Sequence, residues 1–292
     1  MDLVVGATGI LGRDICQRLA AADRPVRALV RAGSAPDTVA ALGAAGVQTV
    51  VGDIKDPASL TAACAGADTV ISTASATLSR AEGDTIEAVD HQGQLALVAA
   101  ARAAGVRQIV FVSFPPDRSS FPLQDAKRAV EAAIRDSGVP YTILQPTHFR
   151  EVWLSPALGL DPANAKARVF GEGAGPISWI AMADVAKAAA AALDTPQALN
   201  RTLRLGGPEA LPQTEVIARF ERAAGRSFER EVVPEADLDA MMAGDDPLAR
   251  SFGALMMICA RHGCAIDNTE AREVLGHDPS PLDAYIAACL AG

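Results

Sequence analysis

Short apolar runs rich in β-branched residues alternate, over the first 150 positions, with alanine-rich segments whose apolar residues recur at helical spacing. The runs are Leu3–Val5, Val26–Val30, Thr49–Val51, Thr69–Ser72, Gln108–Ser113 and Tyr141–Leu144. Each is apolar throughout rather than alternating, which is how strands covered on both faces read. Between them the spacing predicts helices at about Gly12–Ala22, Asp37–Ala45, Pro57–Cys64, Asp84–Ala104 and Gln124–Ser137. Gly46, Gly66, Gly105 and Gly138 fall where those helices should stop, each just before the next strand. Strand–helix–strand repeated in this way is the pattern of an α/β, doubly wound parallel sheet.

After Leu144 the rhythm breaks. Residues 151–176 carry Pro156, Pro162 and Pro176 and read as an irregular excursion ending in a short strand near Arg168–Phe170. Ile177–Ala181 reads as a further strand, followed by a helix capped by Asp184 and running to Leu193, and then by a strand at Thr202–Leu205. From Pro208 onward the chain reads as helical. One amphipathic helix is expected at Thr214–Ala224 and another from about Asp246 to His262, with Leu248, Phe252, Leu255, Met256 and Cys259 on one stripe. The expected division is a nucleotide-binding part over residues 1–150, to which 177–206 return, and a smaller, mostly helical part from 151–176 and 207–292.

Composition narrows the function. The 292 residues carry a formal charge of −9, with 50% apolar and 21% charged residues, so the chain has ample material for a core and no basic face for nucleic acid. Five scattered cysteines form no C-x-x-C pair, and no acidic metal cluster or H-E-x-x-H appears, so no metal is expected. Met1-Asp2 leads straight into the first strand, and no apolar run approaches the roughly 20 residues of a membrane span. A cytoplasmic protein acting on a small molecule, free of membrane and nucleic acid and open to homo-oligomerisation, is the expectation.

Leu3-Val4-Val5-Gly6-Ala7-Thr8-Gly9-Ile10-Leu11-Gly12 joins the first strand to the first helix. Gly6 permits a tight turn, Gly9 lets backbone approach a pyrophosphate, and Gly12 allows close helix–sheet packing. The helix then offers unpaired N–H groups and its positive dipole end to phosphate. A glycine triplet alone is weak evidence, but here it follows a strand, opens a helix and begins a β/α repeat.

The spacing G-x-x-G-x-x-G resembles that of the extended and atypical short-chain dehydrogenases/reductases, and further stretches resemble the NmrA-like NAD(P)-binding family. They are Val26–Arg31, Gly52–Asp56, Val89–Gly93, Ala103–Val106, Leu144–Phe149 and Ile177–Ala186, so the resemblance covers roughly residues 1–225. It implies a Rossmann-type doubly wound sheet with a smaller helical substrate-binding part, and an NAD(P)H-dependent oxidoreductase.

An acidic residue at the end of the second strand would favour NAD(H); this chain has Arg31 there, followed by Gly33 and Ser34. With no carboxylate opposing it, Arg31 is expected to clamp a 2′-phosphate, which favours NADP(H) over NAD(H). The plain alternative is a solvated arginine. Beside the glycine-loop residues Gly6, Thr8, Gly9, Ile10, Leu11 and Gly12, the resemblance places Asp53 and Ile54 against the adenine. It places Ser72, Thr73 and Ala74 beside the nicotinamide ribose.

Ordinary members of the superfamily use a Tyr-x-x-x-Lys pair, in which a nearby cation makes the tyrosine a competent acid. Here the two tyrosines, Tyr141 and Tyr285, are followed four residues on by Gln145 and Cys289, and Leu123 stands four before Lys127. The tyrosine acid is missing. The resemblance makes Lys127 a contact to the nicotinamide ribose and a candidate acid/base, against the plain alternative of a solvent lysine paired with Glu131. It makes Ser113 a contact to nicotinamide or substrate, although Phe114-Pro115-Pro116 departs from the usual small polar residues. His148, between Pro146 and Phe149 in the pocket wall, is a candidate proton donor near neutral pH. Two functions are therefore expected to compete. One is a reductase passing hydride from NADPH to a quinone-, dye- or enone-like acceptor; the other is a non-catalytic NADP(H) sensor or assembly factor.

Overall fold

The structure, a computed structural model, describes residues 1–79 and 81–291. The chain runs β1 (Asp2–Val5), α1 (Ile10–Ala21), β2 (Val26–Val30), α2 (Pro36–Ala44), β3 (Gln48–Val51), α3 (Pro57–Cys64) and β4 (Thr69–Ser72). A π-helical stretch, Ile86–Gly93, passes directly into α4 (Gln94–Ala104), followed by β5 (Gln108–Val112), α5 (Pro122–Asp136) and β6 (Tyr141–Pro146). Then come α6 (Arg150–Trp153), β7 (Leu160–Asp161), β8 (Lys166–Phe170), α7 (Met182–Ala192), β9 (Arg201–Leu205), α8 (Gln213–Ala224) and β10 (Glu229–Val233). The last helices are α9 (Glu235–Ala243), α10 (Pro247–Ala260), α11 (Thr269–Leu275) and α12 (Leu282–Ala291).

Seven strands form one sheet in the order β3-β2-β1-β4-β5-β6-β9, all parallel. This is the Rossmann-type doubly wound arrangement that the alternating pattern predicts. Register lines like residues up across the strands. Val4 lies opposite Ala28 and Ile71, Ile71 opposite Val110, and Leu144 opposite Leu203. Because successive side chains point to opposite faces, this row packs on α1 and α7 through Ile15, Leu19, Val185 and Ala189. The neighbouring row, Leu3, Val70 and Ile109, packs on α3, α4 and α5 through Leu60, Leu97, Val130 and Ile134. With each fully buried Val, Leu or Ile contributing roughly 1.5–3 kcal/mol, the two faces together hold the sheet between its helix layers.

A third cluster lies beyond the sheet and joins Trp153, Phe170, Trp179, Phe220, Leu238 and Ile258. It includes the short sheet β10-β8-β7, in which β10 runs parallel to β8 and β7 antiparallel.

The structure departs from the sequence pattern at five places, the first being β3, a largely exposed edge strand rather than one covered on both faces. Ile177–Ala181 is not a strand: Ile177 receives its backbone partner from Leu211, Ser178 from Cys264 and Ile180 from His148, so no single ladder forms. The segment is instead a buried bridge between the two sheets' surroundings. Asp184 is not the cap of α7, whose N-cap is Ala181; its carboxylate accepts from the backbone N and Oγ of Ser280. The helix expected from Asp84 starts only at Ile86, with the Thr85 side chain capping Ala88, and its first eight residues are π-helical. Finally, Glu229–Val233 forms a strand where only helices were expected, with a largely exposed pattern that carries no apolar signal.

Candidate functional site

The glycine loop folds as its spacing requires. Gly6 has φ +87°, and a Cβ there would stand 2.6 Å from Thr73 Oγ1 and 2.7 Å from Ala74 N; a Cβ on Gly12 would stand 2.2 Å from Gly6 O. Neither position tolerates a side chain. Gly9 differs: a Cβ there would meet only Gly6 O, at 3.4 Å, because that side opens onto the cleft. Gly9 is also the N-cap of α1, with no side-chain cap and no acid in the first turn. The first N–H groups of α1 thus lie at the cleft without a side-chain partner, an arrangement that fits a pyrophosphate.

Two cavities meet at this loop and share Gly6, Gly9 and Thr73. The first, about 300 Å³, lies over the carboxyl ends of β2 and β3 and is lined by Thr8, Leu29, Arg31, Asp53, Ile54, Ala74 and Asp84. Here the structure corrects one sequence expectation, because a carboxylate does oppose Arg31. Asp84 accepts from Arg31 Nη1 at 2.6 Å, from Lys55 Nζ at 2.5 Å, and from the Ser79 hydroxyl. Burial pushes the Asp84 carboxyl up, but its donors Lys55, Ser79 and Arg31 outweigh this and hold it below the usual range. Asp84 lies 53 residues from Arg31, a separation no local reading spans.

The second cavity, about 290 Å³, is apolar and walled by Phe114, Phe149, Trp153, Phe252, Leu255 and Ile258, with Ile10, Leu11, Pro146, Ser113, Lys127 and His148 also facing it. Phe252 and Leu255 come from the apolar stripe on α10. Lys127 projects inward because α5 buries the face carrying Leu123, Lys127, Val130 and Ile134. Its partner is Asp90 rather than Glu131: Lys127 Nζ lies 3.3 Å from Asp90 Oδ1 and 5.0 Å above the Phe111 ring. Asp90 is itself fully buried, and its Oδ2 accepts from Ala76 N at 2.9 Å. Glu131 instead meets Arg128 and Arg135 and accepts from Gln145.

The remaining expected residues divide. Ser113 faces the cavity with its Oγ held by Arg128 Nη2 at 2.7 Å. Ser72 is not brought to either cavity; it is buried and its hydroxyl donates to Gln94 Oε1, while Thr73 and Ala74 one and two residues on do face the cleft. His148 lines the wall between Trp153 and Trp179, with ring centroids 4.7 and 5.9 Å away. Burial lowers its pKa to about 4, so near neutral pH it is an uncharged imidazole. That removes the basis for expecting it to supply a proton there. Tyr141 starts β6 at the other end of the sheet, and the Tyr285 hydroxyl donates to the Arg150 and Leu154 carbonyls.

A Rossmann-type sheet with a bare helix N-terminus between a polar and an apolar cavity defines a dinucleotide-binding protein. The chain belongs to the NmrA-like family, whose model matches residues 3–286. Among its relatives is the (4-alkanoyl-5-oxo-2,5-dihydrofuran-3-yl)methyl phosphate reductase of Streptomyces griseus, 35% identical over 258 residues, covering 86% of this chain and 84% of that protein. The NAD(P)H azoreductase of Xenophilus azovorans is 34% identical over 229 residues, or 77% of this chain and 74% of that one. The NADPH-dependent quinone oxidoreductase of Escherichia coli, solved with NADPH, superposes with a TM-score of 0.76 at 25% identity over 99% of each chain. No helix among the described residues is long and apolar enough to cross a membrane.

Proposed function

We propose that this protein is an NADPH-dependent reductase that delivers hydride to a small electrophilic acceptor of quinone, dye or enone type, without a Tyr-x-x-x-Lys pair. The observation that carries this reading is the continuous cleft: a polar cavity and an apolar one, of about 300 and 290 Å³, joined at the glycine loop. Their sizes and contrasting walls suit the adenosine half of a dinucleotide on one side, and its nicotinamide with an acceptor on the other. The sequence relatives reported above, both of them reductases, support the same class.

NADPH, when bound, supplies the hydride, and the protein's work is positioning. The backbone N–H groups at Ile10, Leu11 and Gly12 hold the pyrophosphate, while the Gly9 N–H closes the turn by donating to the Gly6 carbonyl. Arg31, with Lys55 beside it, faces the 2′-phosphate, and Asp53 and Ile54 flank the adenine. Thr73 and Ala74 leave room for the second ribose, and Lys127, fixed by Asp90, donates a hydrogen bond to it. Phe114, Phe149, Trp153 and Leu255 exclude water from the acceptor's ring faces, and Ser113 and the neutral His148 are the polar groups beside them. A quinone or dye reduced by hydride takes its last proton from water, so no dedicated side-chain acid is required. The test is to mix the purified protein with NADPH and a panel of quinones, azo and triphenylmethane dyes and enones, following nicotinamide absorbance. Turnover with at least one acceptor is expected. Tight NADPH binding without any turnover would overturn the reductase reading and leave an NADP(H) sensor.

A further inference from the structure

At the adenosine end of the cleft, one carboxylate holds two cations from different strand ends. Arg31 follows β2 and reaches Asp84 Oδ2 at 2.6 Å; Lys55 follows β3 and reaches Asp84 Oδ1 at 2.5 Å. Asp53, 3.7 Å from Lys55 Nζ, is the other acidic side chain there. The Asp84 side chain is only 4% exposed, whereas Arg31 is 43% exposed, so the carboxylate sits beneath a guanidinium that opens toward the cavity. Asp84 also ties down its own segment, taking the Ser79 hydroxyl and, through its backbone N, the Ala81 carbonyl. That segment forms one wall of the cofactor cavity and, through Ala76, Asp84 and Thr85, one wall of a separate cleft of about 690 Å³.

We propose that Asp84 determines cofactor specificity: its carboxylate occupies the place between Arg31 and Lys55 that a 2′-phosphate needs, so a 2′-phosphorylated dinucleotide binds by displacing it and releasing residues 81–85. The proposal rests on the reading of the cleft as a dinucleotide site. A 2′-phosphate brings up to two negative charges to a pair of cations already neutralised in part by Asp84. Ion pairs of this kind are exchanged rather than added, because a second anion between the same two donors meets repulsion in a partly desolvated setting. A dinucleotide with a 2′-hydroxyl makes no such demand and leaves the Asp84 contacts intact. The carboxylate therefore lowers discrimination for the 2′-phosphate.

The experiment measures binding of 2′,5′-ADP and 5′-AMP by calorimetry to the wild-type protein, Asp84→Asn and Asp84→Glu. Asp84→Asn should raise the affinity ratio of 2′,5′-ADP to 5′-AMP by about tenfold, the scale of one removed charge at short range, and Asp84→Glu should keep the wild-type ratio. An unchanged or lowered ratio in Asp84→Asn overturns the proposal, a lowered one showing that Asp84 aims Arg31 at the phosphate instead of competing for it. Should Asp84→Asn fail to fold, amide exchange in the wild-type protein decides. 2′,5′-ADP should speed exchange across 81–85 while 5′-AMP does not, and equal protection by both overturns the idea. Failure of both nucleotides and of NADPH to bind would overturn the dinucleotide reading itself, whereas binding with an unchanged ratio overturns only the role of Asp84.

Discussion

His148 shows how a single residue's surroundings reverse what its type suggests. A histidine at a cleft edge invites a role in proton transfer, but Trp153, Trp179 and the surrounding apolar wall leave no water to hydrate its cation, and its pKa falls from 6.5 to about 4. The unfolded chain therefore binds a proton that the folded one refuses between those values. Stability from this residue is complete above about pH 6.5 and is lost as pH falls toward 4, by about 3 kcal/mol in total. His277, buried and lowered in the same direction, adds to that slope. Replacing His148 with Phe should flatten it. Urea unfolding of both proteins at about pH 7.5 and about pH 5 measures the difference, and an identical acid loss in the variant would show that His148 is not the titrating group. The glycine loop, by contrast, is legible from sequence because each glycine answers a local backbone demand. The partners of Arg31 and Lys127 are not, since they come from elements brought together only by the sheet.

At the level of elements, the strands and helices over residues 1–150 are written in the period of their apolar residues, and the doubly wound parallel sheet follows from their alternation. What escapes is whatever lacks that period. Ile177–Ala181 is apolar enough for a strand, yet its backbone bonds go to three different segments. Strand β10 is exposed and so carries no apolar mark. The π-helical stretch is the departure that matters most for function. It buries Ile86 and Asp90 toward α5 and sets Asp90 against Lys127. Removing one member leaves the other buried and unpaired, so Lys127→Met or Asp90→Asn alone should cost about 3–5 kcal/mol of stability. The double variant should recover much of that loss, because an isolated buried charge no longer exists. Turnover should not return with it if Lys127 holds the nicotinamide ribose. Recovery of both stability and turnover in the double variant would reduce the pair to a structural role.

Across the whole molecule, loops at the carboxyl edge of the sheet and helix α10 each supply one wall of the apolar cavity, so on the proposed reading cofactor and acceptor meet at a seam. Of the chain's two tryptophans, Trp153 lines the apolar cavity and Trp179 packs behind it, both against His148. The adenosine cavity lies on the other side of the glycine loop and is lined by neither. Intrinsic fluorescence therefore separates the two halves of the cleft. NADPH should quench tryptophan emission on binding, whereas 2′,5′-ADP, filling only the adenosine end, should leave it nearly unchanged. Both ligands should raise thermal stability, by about 2.7 kcal/mol for a ligand at a hundredfold its Kd, since each binds only the folded chain. The contrast lies in which contacts supply that stabilisation: the mononucleotide ties together loops of the sheet, and NADPH also bridges the sheet to the helical part. Quenching by 2′,5′-ADP as strong as that by NADPH would mean that filling the adenosine end alone rearranges the seam. The two cavities would then be one coupled device, and the acceptor's wall would be set by the far end of the cofactor.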